Sequence, residues 1–260
     1  MSSLVTHSKS PGQQQVLSGE QIKHYREMGY TLIRGLIPAE ELAVAREILL
    51  KIDDGDCCGI VDDQFHHAVA FKNDRRGKII AGVQSPAKSL PVFDAIAGHH
   101  RLKTAMQELL GGPVTRYTDQ CGIKSFHIKT AQGGQTFYHQ DSNYWRIAPE
   151  QGCNCWIPFD DVGPDSSALA VIPQSHAGWI MQEHELYLDD PPLCSGRSAQ
   201  PFKRRRIPLD RVDYSKELLI PMKAGDGLFF TNYTWHRSEK NKSGKTKCFY
   251  AIAFQKVCQS

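Results

Sequence analysis

The stretch Phe137–Asp141, FYHQD, places a histidine and an aspartate two residues apart inside an aromatic run. On an extended segment side chains alternate, so His139 and Asp141 project from one face and Gln140 from the other. A neutral imidazole and a carboxylate on one face can hold one edge of a divalent cation. A second histidine would complete the two-His-one-carboxylate face that leaves coordination positions open, the pattern used by non-haem Fe(II) oxygenases. With 11 His in the chain, an isolated H-x-D pair is no more than chance delivers, so the third ligand must carry the argument. His236 follows AGDGLFFTNYTW, a strand, a polar turn and an aromatic. It is favoured because a jelly roll brings a late strand beside an early one. The other histidines remain alternatives: His127 on the preceding strand, His176 ending PQSH, His184 in a long irregular stretch, the pairs His66-His67 and His99-His100, His24 on a helix face and His7 in the tail.

The elements that must position these residues are legible in outline. Ser18 with Gln21 three residues on is a capping-box start, and Gly29 a plausible stop. YTLIRGLI reads as a short strand. Pro38 followed by AEELAVAREILLKI reads as a helix with acids in its first turn. LPVFDAIAGHHRLKTAMQELLGG reads as one or two further helices. From Val114 onward the pattern changes to short β-rich runs between turn residues: GIKSFHIK, QTFYHQD, NCWIPFDD, ALAVIPQS, ELLIPMKAGDGLFF and KCFYAIAFQ. This order predicts an α+β, mainly β fold, a β-sandwich or jelly roll braced by N-terminal helices. Residues 1–16 read as a flexible tail and 17–260 as one domain, with a lid-like insertion at about 180–215.

Composition narrows the class. Hydrophobic residues at 40% and charged residues at 23% describe an ordinary globular chain. A net charge of +3 does not call for nucleic acid, and no apolar run is long enough for a membrane span. The eight Cys are not spaced as a zinc framework and read as reduced thiols, which with no apolar leader predicts a cytoplasmic protein. A monomer or homodimer is expected, with a small molecule as partner.

The segments FHIK…FYHQDSNYW, CWIPFDD, ALAVIPQSH and AGDGLFFTNYTWHRSEKNKS, taken in order with the opening EQIKHYREMGYTLIRGLIPAEEL, resemble the phytanoyl-CoA dioxygenase family of Fe(II)/2-oxoglutarate oxygenases. The resemblance runs from about residue 20 to 255 and is weakest at 50–85 and 180–215. It implies a double-stranded β-helix, a distorted jelly roll. It implies His139, Asp141 and His236 as iron ligands, and Trp156 and Ser238 around 2-oxoglutarate, with Asn241 and Ser243 in the turn after the distal histidine. Where the family usually carries an arginine clamp for the far carboxylate, this chain has Lys247. The sign is kept and the bidentate geometry is lost. Lys247 is therefore the expected clamp, Lys245 its backup and Arg237 a poorer one; the competing reading has Lys247 at the strand mouth, reaching water.

The reaction implied uses Fe(II), 2-oxoglutarate and O2, releases succinate and CO2, and oxidises a substrate C–H. Related halogenases carry Gly or Ala in place of the carboxylate, so Asp141 argues for hydroxylation or a related oxidation. The alternative is a catalytically silent metal-binding jelly roll, with Lys247 a sign of decay. Around the metal, His127 and Lys129 share a predicted strand face and are candidate cosubstrate or substrate contacts. Tyr144, Trp145 and Gln84 are candidate substrate-site residues, with His66 and His67 weaker ones. The basic run Lys203–Arg206 tilts the substrate toward an anion.

Overall fold

The computed structural model describes residues 15–69, 78–128, 134–190, 192–195 and 200–257. The N-terminal elements are α1 (Gly19–Met28), β1 (Tyr30–Ile33), α2 (Ala39–Asp53), β2 (Phe65–Val69), β3 (Lys78–Gln84), α3 (Pro91–Ala97) and α4 (His100–Leu110). The barrel follows with β4 (Val114–Lys124), β5 (Gly152–Pro158), β6 (Leu169–Val171), β7 (Glu185–Tyr187), β8 (Leu193–Ser195), β9 (Arg204–Arg206), β10 (Leu218–Ile220), β11 (Gly227–Thr231), β12 (His236–Ser238) and β13 (Lys247–Lys256). Eight strands form one sheet in the order β1-β11-β5-β13-β4-β3-β2-β8, and β10-β6-β12 form the facing one. The fold is a double-stranded β-helix. Among the described residues no helix is long and apolar enough to cross a membrane.

Two cores flank the large sheet. On its outer side Cys248, Tyr250, Ile252 and Phe254 of β13, with Cys153, Cys155 and Ile157 of β5, pack under the helices against Leu42, Leu49, Phe93 and Met106. On its inner side Trp156, Leu228, Phe230 and Ala251 meet Leu169, Val171 and Ile220 of the facing sheet. Period-2 alternation with both faces covered explains why these strands read as near-continuous apolar runs. The capping box at Ser18 forms with Gln21, and Gly29 closes α1 at φ 85, a left-handed cap suited to glycine.

Two predicted strands differ. QTFYHQD is not a regular strand. His139 bridges His236 in antiparallel fashion, whereas the Thr136 N–H donates to the Ser238 carbonyl, one residue out of register. That extra residue is a bulge, which breaks the ladder and re-aims the side chains around it. GIKSFHIK also ends early. β4 stops at Lys124, and the Ile128 N–H turns back to the Ser125 carbonyl at 3.2 Å. The 180–215 stretch contributes a β7–β9 pair and adds β8 to the edge of the large sheet beside β2.

The turn before β11 ties the helical brace to the barrel. Asp226, 2% exposed, accepts from the Gly35 and Lys223 N–H groups at 2.8 Å each and from Arg34 at 2.7 Å. Removing the carboxylate strands two backbone donors. Asp226→Ala is expected to cost about 3 kcal/mol, read as a lowered denaturant midpoint; an unchanged midpoint would show that this turn does not hold β1 in place.

Candidate metal centre and cosubstrate pocket

Backbone pairing brings the first and last ligand together. The His139–His236 bridge is closed by two N–H···O bonds of 3.2 Å, and the imidazole centroids lie 4.3 Å apart. Gln140 between the ligands is extended at φ −113, ψ 131, so Asp141 lies on the same side as His139. The Asp141 Oδ1 is 3.8 Å from His139 Nε2 and 3.6 Å from His236 Nε2. One ligand atom from each of the three lies within 4.8 Å of the others.

Each ligand is oriented by a neighbour. The Nδ1 atoms of His139 and His236 pair with the carbonyls of Phe137 at 2.8 Å and Thr234 at 2.9 Å. An Nδ1–H donated there leaves the Nε2 lone pair facing the carboxylate, as metal ligation requires. Asn154 of β5 donates to Asp141 Oδ2 at 2.9 Å, leaving Oδ1 facing the two Nε2 atoms. Burial, then the neighbouring His236, hold His139 well below its ordinary pKa, so it stays neutral. Burial raises Asp141, opposed by His236 and the Asn154 hydrogen bond. Two ring nitrogens and one carboxylate oxygen, pre-aimed at one point, fit a divalent first-row metal.

Gln140, the residue between the ligands, is fully buried. Its amide donates to the carbonyls of Ile180 and Tyr233 and accepts from the Gln182 N–H, while its backbone N–H donates to His184 Nε2. His184 is therefore a support for the ligand loop and lies outside the triad.

A cavity of about 500 Å³ opens from His139 and Asp141. Lys124, 6% exposed, is part of its lining. Its ammonium donates to Ser238 Oγ at 2.7 Å and to the Gly134 carbonyl, and Ser238 Oγ also pairs with Thr136 Oγ1 at 3.0 Å. Burial and then the charge of Arg204 bring the Lys124 pKa down to about 7. Tyr144, Trp145 and Gln84 line the same cavity, as does His66. Trp156 sits on the inner face of β5 with its ring 5.0 Å from that of Phe249, a cavity-wall residue.

The sequence of this chain matches the phytanoyl-CoA dioxygenase (PhyH) family over residues 25–248. The chain belongs to the phytanoyl-CoA dioxygenase family. Among curated proteins it is similar to the "Probable alpha-ketoglutarate-dependent hypophosphite dioxygenase" of Stutzerimonas stutzeri, with 23% identity over 161 residues. That alignment takes in 62% of this chain and 54% of the relative, so the chain spans about half that protein's length. Among solved structures, EvdO2 from Micromonospora carbonacea var. aurantiaca superposes with a TM-score of 0.69 at 17% identity, covering 93% of this chain and 91% of that one. EctD from S. alaskensis, solved with 2-oxoglutarate and 5-hydroxyectoine, gives 0.68 at 16% identity over 97% and 80%. At such identities the superpositions establish the shared fold. The family's cofactor set is Fe(II), 2-oxoglutarate and O2, and the chain carries the fold and the His-Asp-His group that this set requires.

For a PhyH member, two expected site residues fall elsewhere. Lys247 shares the inner face of β13 with Phe249, but its ammonium donates to the Asp161 carbonyl at 3.0 Å at the strand mouth. The buried ammonium belongs to its cross-strand partner, Lys124. The signal was present: Lys124 ends the apolar run CGIK, and a lysine there is costly unless something pairs with it. His127 lies in the turn past β4, its ring against Phe126, and does not reach the cavity wall because the strand ends first. Lys129 lies outside the described residues. Asn154 and Thr136 carried no motif in the sequence, and Arg204 was one of four similar residues in the basic run Lys203–Arg206.

Asn154 gives a direct test of ligand orientation. Asn154→Leu removes the bond to Asp141 Oδ2 and is expected to weaken Co(II) binding about ten- to a hundredfold, read by titration of the d–d absorption. Unaltered affinity would mean that packing alone holds Asp141.

Proposed function

We propose that this chain is an Fe(II)- and 2-oxoglutarate-dependent dioxygenase that hydroxylates a C–H bond of a small organic molecule. The observation that supports it is the placement of two complementary features on one cavity: His139 and Asp141, grouped with His236, and the buried ammonium of Lys124, bonded to Ser238. Bound Fe(II), with 2-oxoglutarate and O2, supplies the oxidising chemistry and releases succinate and CO2.

The chain's own residues bind and orient. His139, Asp141 and His236 are assigned as the metal ligands, with Asn154 fixing which carboxylate oxygen faces the metal. Lys124 and Ser238 are assigned to the far carboxylate of 2-oxoglutarate, with Thr136 steadying Ser238; this replaces Lys247 in that role. An ammonium held in a dry pocket attracts a carboxylate more strongly than one in water, because neither charge is screened. Trp156, through Phe249, is assigned to the pocket wall. Tyr144, Trp145 and Gln84 are assigned to the substrate side, where they limit water around the reacting C–H.

Substrate-independent conversion of 2-oxoglutarate to succinate with added Fe(II) tests the reading; no binding of 2-oxoglutarate and no succinate would end it. Lys124→Ala is expected to raise the KM for 2-oxoglutarate about a hundredfold, while Lys247→Ala changes it little; the reverse pattern would restore Lys247 as the clamp. The depressed Lys124 pKa also sets a pH dependence. Above pH about 7 the free protein loses the ammonium, so 2-oxoglutarate must then bring a proton with it. Its affinity should fall by up to about tenfold per pH unit until the pKa of the complex is reached. A flat profile from pH 6.5 to 9 would contradict the assignment.

A further inference from the structure

Of the four consecutive basic residues Lys203–Arg206, Lys203 and Arg204 line the cavity, and the structure distinguishes all four. Arg206 is spent: it donates to Glu185 at 2.7 Å and its guanidinium lies over the rings of Phe137 and Tyr187. Arg205 and Lys203 are exposed, and the Arg205 backbone exchanges two hydrogen bonds with the Tyr144 hydroxyl. Arg204 differs from all three. It lines the cavity beside His139, Tyr144 and Lys124, and its charge is felt at both His139 and Lys124.

Its hydrogen bonding is thin for a charge so placed. A guanidinium has five N–H donors. Arg204 makes one side-chain bond, to Asp189 Oδ1 at 3.2 Å, and the other oxygen of that carboxylate has no partner. The comparison within the same molecule is Arg237, which makes three bonds of 2.6–2.7 Å to Glu217 and Glu239. Arg204 is a quarter exposed, so its unused donors meet either water or a ligand, and their place on the cavity wall beside the candidate metal site favours a ligand. Lys124, with Ser238, already accounts for one carboxylate in this cavity.

We propose that Arg204 is the substrate's anion-binding residue, so that the substrate carries a carboxylate or phosphonate group that takes the free N–H edge of Arg204. The proposal rests on the dioxygenase reading of the cavity. Asp189 is then a positioning residue that holds the guanidinium over the site while leaving a donor edge open. The Tyr144 hydroxyl, bonded to the Arg205 backbone, fixes β9 so that Arg204 faces inward. Planar two-point recognition by Arg favours an oxyanion over a neutral isostere.

The same anion chemistry could come from 2-oxoglutarate itself, and the test separates the two. Fe(II)-loaded protein with saturating 2-oxoglutarate, kept anaerobic, is titrated by calorimetry with butanoate, propylphosphonate and the neutral butanamide. The two anions are expected to bind at least about tenfold more tightly than the amide. Arg204→Met should abolish that preference while, at pH 6, where Lys124 is already protonated, the dissociation constant for 2-oxoglutarate changes less than about twofold. Should Arg204→Met fail to fold, Arg204→Lys is expected to weaken propylphosphonate more than butanoate, because the fork is lost and the charge kept. Equal binding of anions and amide by the wild type, or an anion preference that survives in Arg204→Met, overturns the proposal. So does a tenfold loss of 2-oxoglutarate affinity in Arg204→Met with probe binding intact, which would give Arg204 to the cosubstrate. Failure of the underlying dioxygenase reading would appear separately, as wild-type protein that does not bind 2-oxoglutarate.

Discussion

Everything at the centre of this molecule depends on one antiparallel bridge, between the backbones of His139 and His236. Two segments far apart in sequence are fixed there by a pair of peptide hydrogen bonds, and the two imidazoles follow. A side chain alone could not hold that spacing, because each imidazole could rotate away. The carbonyls of Phe137 and Thr234, each two residues before its histidine, remove that freedom by pairing with Nδ1. Asp141 is then positioned by an extended Gln140 and held by Asn154. The metal face is thus largely a product of backbone geometry, with side chains selecting the rotamers.

The bulge beside that bridge has a second consequence. It ends regular pairing at the edge of the facing sheet and lets the 134–138 segment cross the pocket end, where the Gly134 carbonyl and the Thr136 hydroxyl meet Lys124 and Ser238. The inner faces of β4 and β13 continue the same wall. Gly122 is the device that opens it: a Cβ there would lie 2.0 Å from the Phe249 ring. The missing side chain leaves room for the Phe249 ring over Gly122, 5.0 Å from the ring of Trp156. A polar pocket is therefore set in an otherwise apolar barrel by local exceptions, namely a bulge, a glycine and a buried lysine.

Charge placement in the cavity follows from what burial costs. Lys124, Arg204, Asp189 and Asp141 all sit where an unpaired charge is unfavourable, and each is held by a neighbour within the fold. Arg237 shows what a purely structural arginine looks like here, with both Glu217 and Glu239 engaged. The seven described cysteines are free thiols; those within the barrel wall are buried, and burial pushes Cys153 up to about 12, which makes it an inert part of the packing.

Much of this was legible in the residues. The Ser18–Gln21 box, Gly29 and the Pro38 start mark helices that local chemistry alone determines. The apolar runs of β5, β11 and β13 mark buried strands because both of their faces are covered. The H-x-D spacing determines that two ligands share a side, since alternation in an extended chain is a local property, and the family motifs around WHRS supplied the third. Which lysine faces the pocket was not local. Lys124 and Lys247 are cross-strand partners on one face, and their environments separate only when the neighbouring segments arrive: Gly134 and Ser238 over Lys124, Asp161 over Lys247. Arg204 was one of four similar charges until β9 was placed against the cavity. The sequence by itself determined that His139 and Asp141 share a side and what class of fold to expect, because both rest on short-range periodicity, while His236 came from the family motifs; only the tertiary structure decided which charges are buried, because desolvation depends on what the distant chain covers.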